Sequence, residues 1–223
     1  MEITSSTRGG SSDLANLSLA SLCGQLLVVG YQGAAPSPSL LAAHEAGECG
    51  GFIVFKRNLE AEGRARIEAL AGTLAELARR APPGLPPLLA VDQEGGRVAR
   101  LGPPVLTLPP MRALAAAEGD REDLARRAGR ALGEELQAIG FTMNFAPILD
   151  VDSNPDNPII GDRAFGREPA AAAALALAFA DGLREGGLLA CGKHFPGHGD
   201  TLTDSNLELP VVSKSRAELE ATE

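Results

Sequence analysis

Short apolar runs of strand length alternate along most of this chain with alanine- and leucine-rich stretches of helical length. The runs are apolar on both faces, as in parallel strands that helices cover on either side. This alternation of strands and helices predicts an α/β fold with a parallel sheet. Five runs are strand candidates: residues 25–31, 51–56, 88–94, 141–150 and 188–195.

Three helices are predicted from the residues that begin and end them. Asp120 is a favourable N-cap, apolar side chains then recur at helical spacing, and Gly140 follows at the C′ position. Glu168-Pro169 begins a second helix, because proline is favoured in the first turn. A third helix is predicted over residues 64–80.

The residues that follow the strands favour a barrel over an open dinucleotide-binding sheet. The open sheet carries a GxGxxG phosphate loop after its first strand, whereas here the first strand is followed by GYQGAAPSP. A (β/α)8 barrel keeps its active site at the carboxyl ends of the strands. Polar side chains lie at those ends: Lys56, Asp92, Asp150, Lys193 and His194.

The spacing of the strands predicts how much of a barrel the chain contains. One strand–helix unit takes about 41 residues, so eight units need about 330, within the usual range for this fold. We therefore predict an incomplete (β/α)8 TIM-type barrel with about the first five units. Residues 1–12 are expected to form a disordered tail and residues 13–223 the partial barrel domain. The chain stops inside the helical-looking segment SRAELEATE before any residue that would end a helix, so we expect a fragment or a truncated product.

Composition argues against several classes of function. A net charge of −9 makes nucleic acid a poor partner, because phosphate binding needs a basic surface. No run of about 18 apolar residues is present, so no membrane span is expected. The first residues lack the features of a secretory signal, and the three cysteines form no CxxC pair. A reducing cytoplasm is the predicted location.

The first cluster of candidate site residues is VDQEGGRVARL, residues 91–101. Asp92 ends an apolar strand, where its carboxylate could accept hydrogen bonds from two sugar hydroxyls. Gly95 and Gly96 allow a sharp turn that a side chain would block, and Arg97 and Arg100 supply forked donors. The alternative is a structural role in which Asp92 caps the next turn.

The second cluster is the polar, proline-rich loop at residues 144–169, which is more typical of a functional loop than of a short connector. Calcium is a competing interpretation, since four oxygen-bearing residues alternate here: Asp150, Asp152, Asn154 and Asp156. The EF-hand pattern fails, because Pro155 replaces the required glycine and Gly161 replaces the bidentate glutamate. Arg163 could contact a substrate oxygen or bind the carboxylates of its own loop.

The third cluster is KHFPGHGDTLTDSNLELP at residues 193–210, which brings histidines, a lysine and aspartates together at a strand end. His194 and His198 are four residues apart, a spacing that zinc ligands on a helix use. Pro196 and Gly197 prevent a helix here, and the HExxH motif is absent. The other alternative is a structural loop whose histidines bond only within it.

VDQEGGRV, GDRAFGREP and KHFPGHGDT followed by DS and LP resemble the N-terminal barrel of family 3 glycoside hydrolases, in particular the bacterial β-N-acetylhexosaminidase branch. The likeness extends from about residue 25 to the end of the chain. It implies that five residues hold a terminal N-acetylglucosamine: Asp92, Arg100, Arg163, Lys193 and His194. It also implies that Asp204 belongs to an Asp–His dyad that protonates the leaving oxygen and later activates water.

One departure from the family pattern concerns this dyad. The family has Asp-Ser-His where this chain has Asp204-Ser205-Asn206, and asparagine cannot exchange a proton near neutral pH. The family is also retaining and uses an aspartate nucleophile on a later strand, which the resemblance places beyond residue 223.

The sequence and this resemblance together predict a retaining β-N-acetylhexosaminidase that removes terminal N-acetylglucosamine in cell-wall recycling. The chain would be an incomplete form of this enzyme, and Asn206 and the missing C-terminal part would leave it without full activity. Two alternatives remain: a non-catalytic N-acetylglucosamine-binding remnant and a metal-dependent barrel hydrolase. The predicted partner is a small sugar substrate. No cofactor, metal, nucleic acid, membrane or obligate protein partner is expected.

Overall fold

The computed structural model describes residues 16–60, 62–203 and 207–222. Seven strands lie within these ranges: β1 Val28–Val29, β2 Gly51–Val54, β3 Leu88–Val91, β4 Gln93–Gly95, β5 Val98–Ala99, β6 Met143–Asn144 and β7 Leu189–Ala190. Five of them form one parallel sheet in the spatial order β1, β2, β3, β6, β7. The other two, β4 and β5, pair antiparallel as a small hairpin after β3.

Helices connect the strands of the parallel sheet. In the described ranges they are α1 Leu19–Gly24, α2 Pro38–Glu45, α3 Gly63–Arg80, α4 Met111–Ala115, α5 Arg121–Ile139, α6 Pro169–Glu185 and α7 Arg216–Glu220, with short 3-10 helices at Lys56–Asn58 and Gly161–Arg163. Each strand of the sheet lies beside the previous one after a helical crossover, as in the first part of a TIM-type barrel. The α/β fold is therefore confirmed, and among the described residues the barrel is not closed.

The predicted helix ends are confirmed by their capping contacts. The side chain of Asp120 accepts a hydrogen bond from the amide of Asp123 at 3.0 Å, and Gly140 ends α5 with a φ of 112°, in the left-handed region. At the start of α6, Glu168 accepts hydrogen bonds from two main-chain amides, and Pro169 is the first helical residue.

All five predicted strands are shorter in the structure, and three of them are much shorter. The runs at 25–31, 141–150 and 188–195 contain only the two-residue strands β1, β6 and β7. Beyond β6, Pro147 has no amide hydrogen to donate, so the ladder is interrupted and resumes only as an isolated bridge between Ile148 and Lys193. The predicted tail at residues 1–12 lies outside the described residues.

The helix pair α5–α6 packs with its backbones in close contact. A Cβ added at Gly129 of α5 would lie 2.2 Å from the carbonyl oxygen of Phe179, and one at Gly182 of α6 would lie 2.0 Å from that of Arg126. Glycine at these positions lets the two helices approach each other, and Phe179 and Leu183 are fully buried in the core. Within the described ranges, no helix combines the length and apolar character needed to cross a membrane.

Candidate active site

A polar cleft of about 380 Å³ lies at the carboxyl ends of the strands. Asp92 follows β3, Arg100 follows β5, Arg163 lies in the 3-10 helix before α6, and Lys193 and His194 follow β7. All five residues that the sequence singled out for sugar binding line this one cleft: Asp92, Arg100, Arg163, Lys193 and His194. Lys56, also expected at a strand end, is exposed and is not part of the lining, whereas its neighbour Phe55 is.

Ion pairs arrange the charged side chains of the cleft. The Nζ atom of Lys193 lies 2.6 Å from Asp92 Oδ1 and 2.6 Å from Glu94 Oε1. Arg163 donates two hydrogen bonds of 2.9 Å to the two oxygens of Glu94, and Arg100 Nη2 lies 3.6 Å from Asp92 Oδ2. The Nε atom of Arg100 is buried and has no hydrogen-bond partner in the described ranges. Lys193, Arg163 and Arg100 thus share the carboxylates of Asp92 and Glu94. N–H groups such as Nε of Arg100 remain free to donate a hydrogen bond to a ligand.

Glu94 is a residue of the cleft lining that the sequence analysis missed. Its side chain is 2% exposed, and it binds both Arg163 and Lys193. The alternative that Arg163 binds the carboxylates of its own loop is wrong, because its carboxylate partner, Glu94, lies on β4. The contact of Arg163 with a substrate oxygen stays a prediction. The sequence signal was the pair Gly95 and Gly96, whose φ angles of 125° and 55° form the predicted sharp turn. That turn joins β4 to β5, and Glu94 faces the cleft from the residue just before it.

Asp150 is the second residue whose role the sequence did not reveal. Its side chain is fully buried, its Oδ2 atom lies 2.6 Å from Nδ1 of His194, and its Oδ1 atom accepts hydrogen bonds from the amides of His194 and His198. Burial alone would raise the pKa of Asp150. The hydrogen bonds and the charge interaction from His194 outweigh it, so the pKa is held below the usual 3.8. Asp150 therefore fixes the loop that carries both histidines.

Asn157 joins the two loops that form one side of the cleft. Its Nδ2 atom donates to the carbonyl oxygens of His198 at 2.8 Å and Gly199 at 3.1 Å. Its Oδ1 atom accepts from the amides of Ile159 and Ile160, each at 2.8 Å. Both faces of the amide are used, so the 144–169 loop is held against the loop that begins at Lys193.

The metal alternatives can be compared with the contacts of their proposed ligands. Asp152 is paired with Arg112 and Arg167, each at 2.9 Å, and Asp150 is paired with His194. The rings of His194 and His198 lie edge to face, with centroids 5.6 Å apart. Within the described ranges, no group of three or more histidine, cysteine, aspartate or glutamate side chains could hold a metal ion.

The predicted dyad positions Asp204 and Asn206 fall outside the residues that the structure describes.

The parallel strands and the charged cleft at their carboxyl ends define the first part of a TIM-type barrel with a polar binding site. The sequence profile described as "Glycosyl hydrolase family 3 N terminal domain" matches residues 18–223, and the chain belongs to this family. The β-hexosaminidase of Pseudomonas aeruginosa is 42% identical over 172 residues, which are 77% of this chain and 49% of that protein. The β-hexosaminidase of Tolumonas auensis is 41% identical over 174 residues, or 78% of this chain and 49% of its own length.

Solved structures give the same assignment. NagZ from Neisseria gonorrhoeae, solved in complex with N-trifluoroacetyl-D-glucosamine, is 37% identical with a TM-score of 0.77 over 88% of this chain and 57% of that one. A family 3 β-N-acetylglucosaminidase from Paenibacillus is 39% identical with a TM-score of 0.83 over 92% of this chain and 38% of that one. The chain thus spans about half the length of the curated relatives it matches.

Proposed function

We propose that this chain forms the sugar-binding part of the active site of a retaining β-N-acetylhexosaminidase, which removes terminal N-acetylglucosamine in cell-wall recycling. The observation that carries the proposal is the convergence of three cations and two carboxylates from distant segments on one cleft of single-sugar size. The names of the relatives at about 42% identity, and the glucosamine derivative bound to the Neisseria structure, support the same substrate class.

The cleft offers a sugar both acceptors and donors. Asp92 accepts hydrogen bonds from hydroxyl hydrogens, and Lys193 and Arg100 donate to hydroxyl or acetamido oxygens. Arg163 is held by Glu94 and faces the same space, and His194 is oriented by Asp150 through its Nδ1 atom. Because each group is fixed by a partner before a ligand arrives, little ordering cost remains for binding.

The proposed chemistry needs a proton donor for the leaving oxygen and an aspartate nucleophile. Asp204 and Asn206 occupy the positions of the family's Asp–His dyad, and an asparagine cannot carry the proton. Losing a general acid costs about 10²–10⁴-fold in rate. We therefore expect sugar binding with turnover near background.

The three cysteines within the described ranges are free thiols, which supports a reducing cytoplasm as the location.

Calorimetry with N-acetylglucosamine tests the binding step. Asp92→Ala should weaken affinity by about 1–3 kcal/mol, because the sugar hydroxyls and Arg100 would lose their acceptor and Lys193 would keep only Glu94. Asp181→Ala, which removes a half-buried carboxylate of α6 away from the cleft, is the matched control and should leave affinity unchanged. If wild type and Asp92→Ala bind N-acetylglucosamine with equal affinity, Asp92 does not bind the sugar.

The hydrolytic step is tested by nitrophenol release from an aryl N-acetyl-β-glucosaminide. Four polypeptides are compared: this chain and this chain joined to the second half of the Pseudomonas relative, each with Asn206 or with Asn206→His. The histidine should raise the rate only in the longer polypeptides, where the family places the nucleophile. Turnover by the unmodified chain at an ordinary enzyme rate would overturn the assignment of both groups.

A second candidate function is a non-catalytic receptor for N-acetylglucosamine, and Asn206 is the observation that favours it. The same assays separate the two candidates. Sugar binding with no response to Asn206→His in the longer polypeptide would indicate the receptor.

A further inference from the structure

His198 has a ring nitrogen that is buried and has no hydrogen-bond partner among the described residues. This nitrogen is Nε2, and the His198 side chain lines the polar cleft and is 8% exposed. His44 is also buried, but both of its ring nitrogens contact main-chain carbonyls, those of Cys49 and Leu77. A buried polar atom without a partner costs free energy, so such an atom beside a cleft points to a ligand.

Thr201 determines which nitrogen of His198 carries the proton. The Nδ1 atom lies 2.5 Å from the Thr201 hydroxyl oxygen. That hydroxyl donates its one hydrogen to the carbonyl oxygen of His198 at 2.9 Å, and Asn157 donates to it at 3.3 Å. With its hydrogen used, Thr201 is the acceptor for Nδ1, so the neutral ring carries its proton there. The Nε2 atom then presents a lone pair.

The backbone holds the ring in this place before any ligand binds. The amide of His198 donates to Asp150 at 2.7 Å, and its carbonyl accepts from Asn157 at 2.8 Å. The edge-to-face contact with His194 limits rotation of the ring on the side of the cleft. The lone pair of Nε2 is therefore held in one position rather than turned away toward solvent.

We propose that His198 is a further ligand-binding residue of the cleft, whose Nε2 atom accepts a hydrogen bond from a hydroxyl group of the bound sugar. The other polar groups of the lining are mostly charged, and His198 adds a neutral acceptor beside Lys193 and His194. A hydroxyl is the donor that a sugar offers in largest number. This inference rests on the proposed function, because it assumes that the cleft binds N-acetylglucosamine.

Two substitutions separate the two ring nitrogens. His198→Asn keeps a polar atom near the position of Nδ1 for Thr201 and removes Nε2. His198→Gln extends a polar atom toward the position of Nε2 and loses the Thr201 contact. If Nε2 binds the sugar, calorimetry should show the asparagine variant losing about 5- to 10-fold in affinity, the size of one neutral hydrogen bond. The glutamine variant should stay within about threefold of wild type, with a lower melting temperature.

The opposite order would overturn the inference. If the glutamine variant loses more affinity than the asparagine variant, His198 serves the loop through Thr201 and does not bind the sugar. His44→Asn is the matched control: it should lower the melting temperature and leave affinity unchanged. Absence of sugar binding by the wild type would instead overturn the proposed function, which distinguishes the two failures.

Nitrogen NMR of the histidine-labelled wild-type chain tests the same point without a variant. The Nε2 resonance of His198 should have the chemical shift of an unprotonated nitrogen and should move when N-acetylglucosamine is added, while both His44 resonances stay fixed. A protonated Nε2 in the free protein, or an unchanged resonance at saturating sugar, would contradict the inference even if both His198 variants failed to fold.

Discussion

The helix pair α5–α6 and the wall of the polar cleft are held together by different contacts. In the helix pair, glycines let the two helix backbones come into van der Waals contact, and the packing depends on close steric fit. In the cleft wall, Glu94, Asp92 and Asp150 each bind cations or amides from other segments. Substitutions in the helix pair should therefore change stability without changing the chemistry of the site, whereas substitutions in the wall should change both.

The largest effect is expected from Glu94→Gln. The substitution leaves Arg163 and Lys193 facing each other without their shared carboxylate, and breaking a buried ion pair from one side costs about 3–5 kcal/mol. Denaturant unfolding measures this loss, and calorimetry should show lost sugar affinity as well. Glu134→Gln removes an exposed carboxylate of α5 and is the control, with no expected change. Equal stabilities of the two variants would show that the Glu94 cluster does not hold the wall.

Asp150→Asn should have the next largest effect, about 1.5–3 kcal/mol at neutral pH, because a charge-assisted contact with His194 is lost. The pKa of Asp150 is lowered in the folded chain, so its stabilisation is present above about pH 4 and is lost as the pH falls through the folded pKa. Wild type and variant should therefore converge in stability on acidification. Unfolding measured at pH 7 and pH 3 tests this, and a pH-independent difference would contradict it.

Gly129→Ala tests the helix pair, and we expect a loss of about 1–3 kcal/mol from overpacking. The added Cβ would meet the Phe179 carbonyl, whereas one at Gly72 on α3 meets nothing within 4 Å. Gly72→Ala is therefore the matched control and should be neutral or stabilising by up to about 1 kcal/mol. Sugar affinity of the folded Gly129→Ala protein should equal that of wild type. If folded Gly129→Ala protein binds the sugar more weakly than wild type, the helix pair affects the binding site, and the two regions are not independent.

Arg97→Ala should have the smallest effect. Arg97 is half exposed, lies 3.8 Å from Asp162, and donates to the carbonyl oxygen of Ile160 at 3.2 Å. Such exposed contacts contribute about 0.2–1 kcal/mol, and affinity should change by no more than about twofold. A tenfold loss of affinity would mean that Arg97 contacts the sugar, as the sequence pattern allows.

Local signals in the sequence predicted the parts of the fold that depend on nearby residues. Asp120, Gly140 and Pro169 mark helix ends through contacts within a few residues, and apolar runs mark the strands of the sheet. The set of five cleft residues came from strand ends together with the family resemblance. Their positions in one cleft could be expected because the carboxyl ends of parallel strands meet at the same edge.

The residues that sequence reasoning missed depend on partners far away in the chain. Glu94 binds Arg163 across 69 residues, and Asp150 binds His194 across 44. Neither spacing has a local pattern, so the sequence placed Glu94 only at the end of a predicted strand. It placed Asp150 only among the polar strand ends and in the disfavoured calcium alternative. The short ladder between β6 and β7 has a local origin, because Pro147 has no amide hydrogen and pairing resumes only between Ile148 and Lys193.

The pairing of Lys193 with Asp92 has a consequence for how the protein is made. The two residues are 101 positions apart, so at about 5–20 residues per second their synthesis is separated by about 5–20 seconds. During that interval Asp92 lacks Lys193 and has only Arg100 as an ion-pair partner, and Glu94 lacks Lys193 and, until it is made, Arg163. Burying carboxylates without their partners is unfavourable. The carboxyl edge of the nascent sheet should therefore remain loosely packed until the later cations arrive, and the binding site should reach its native structure only after Lys193 has been made.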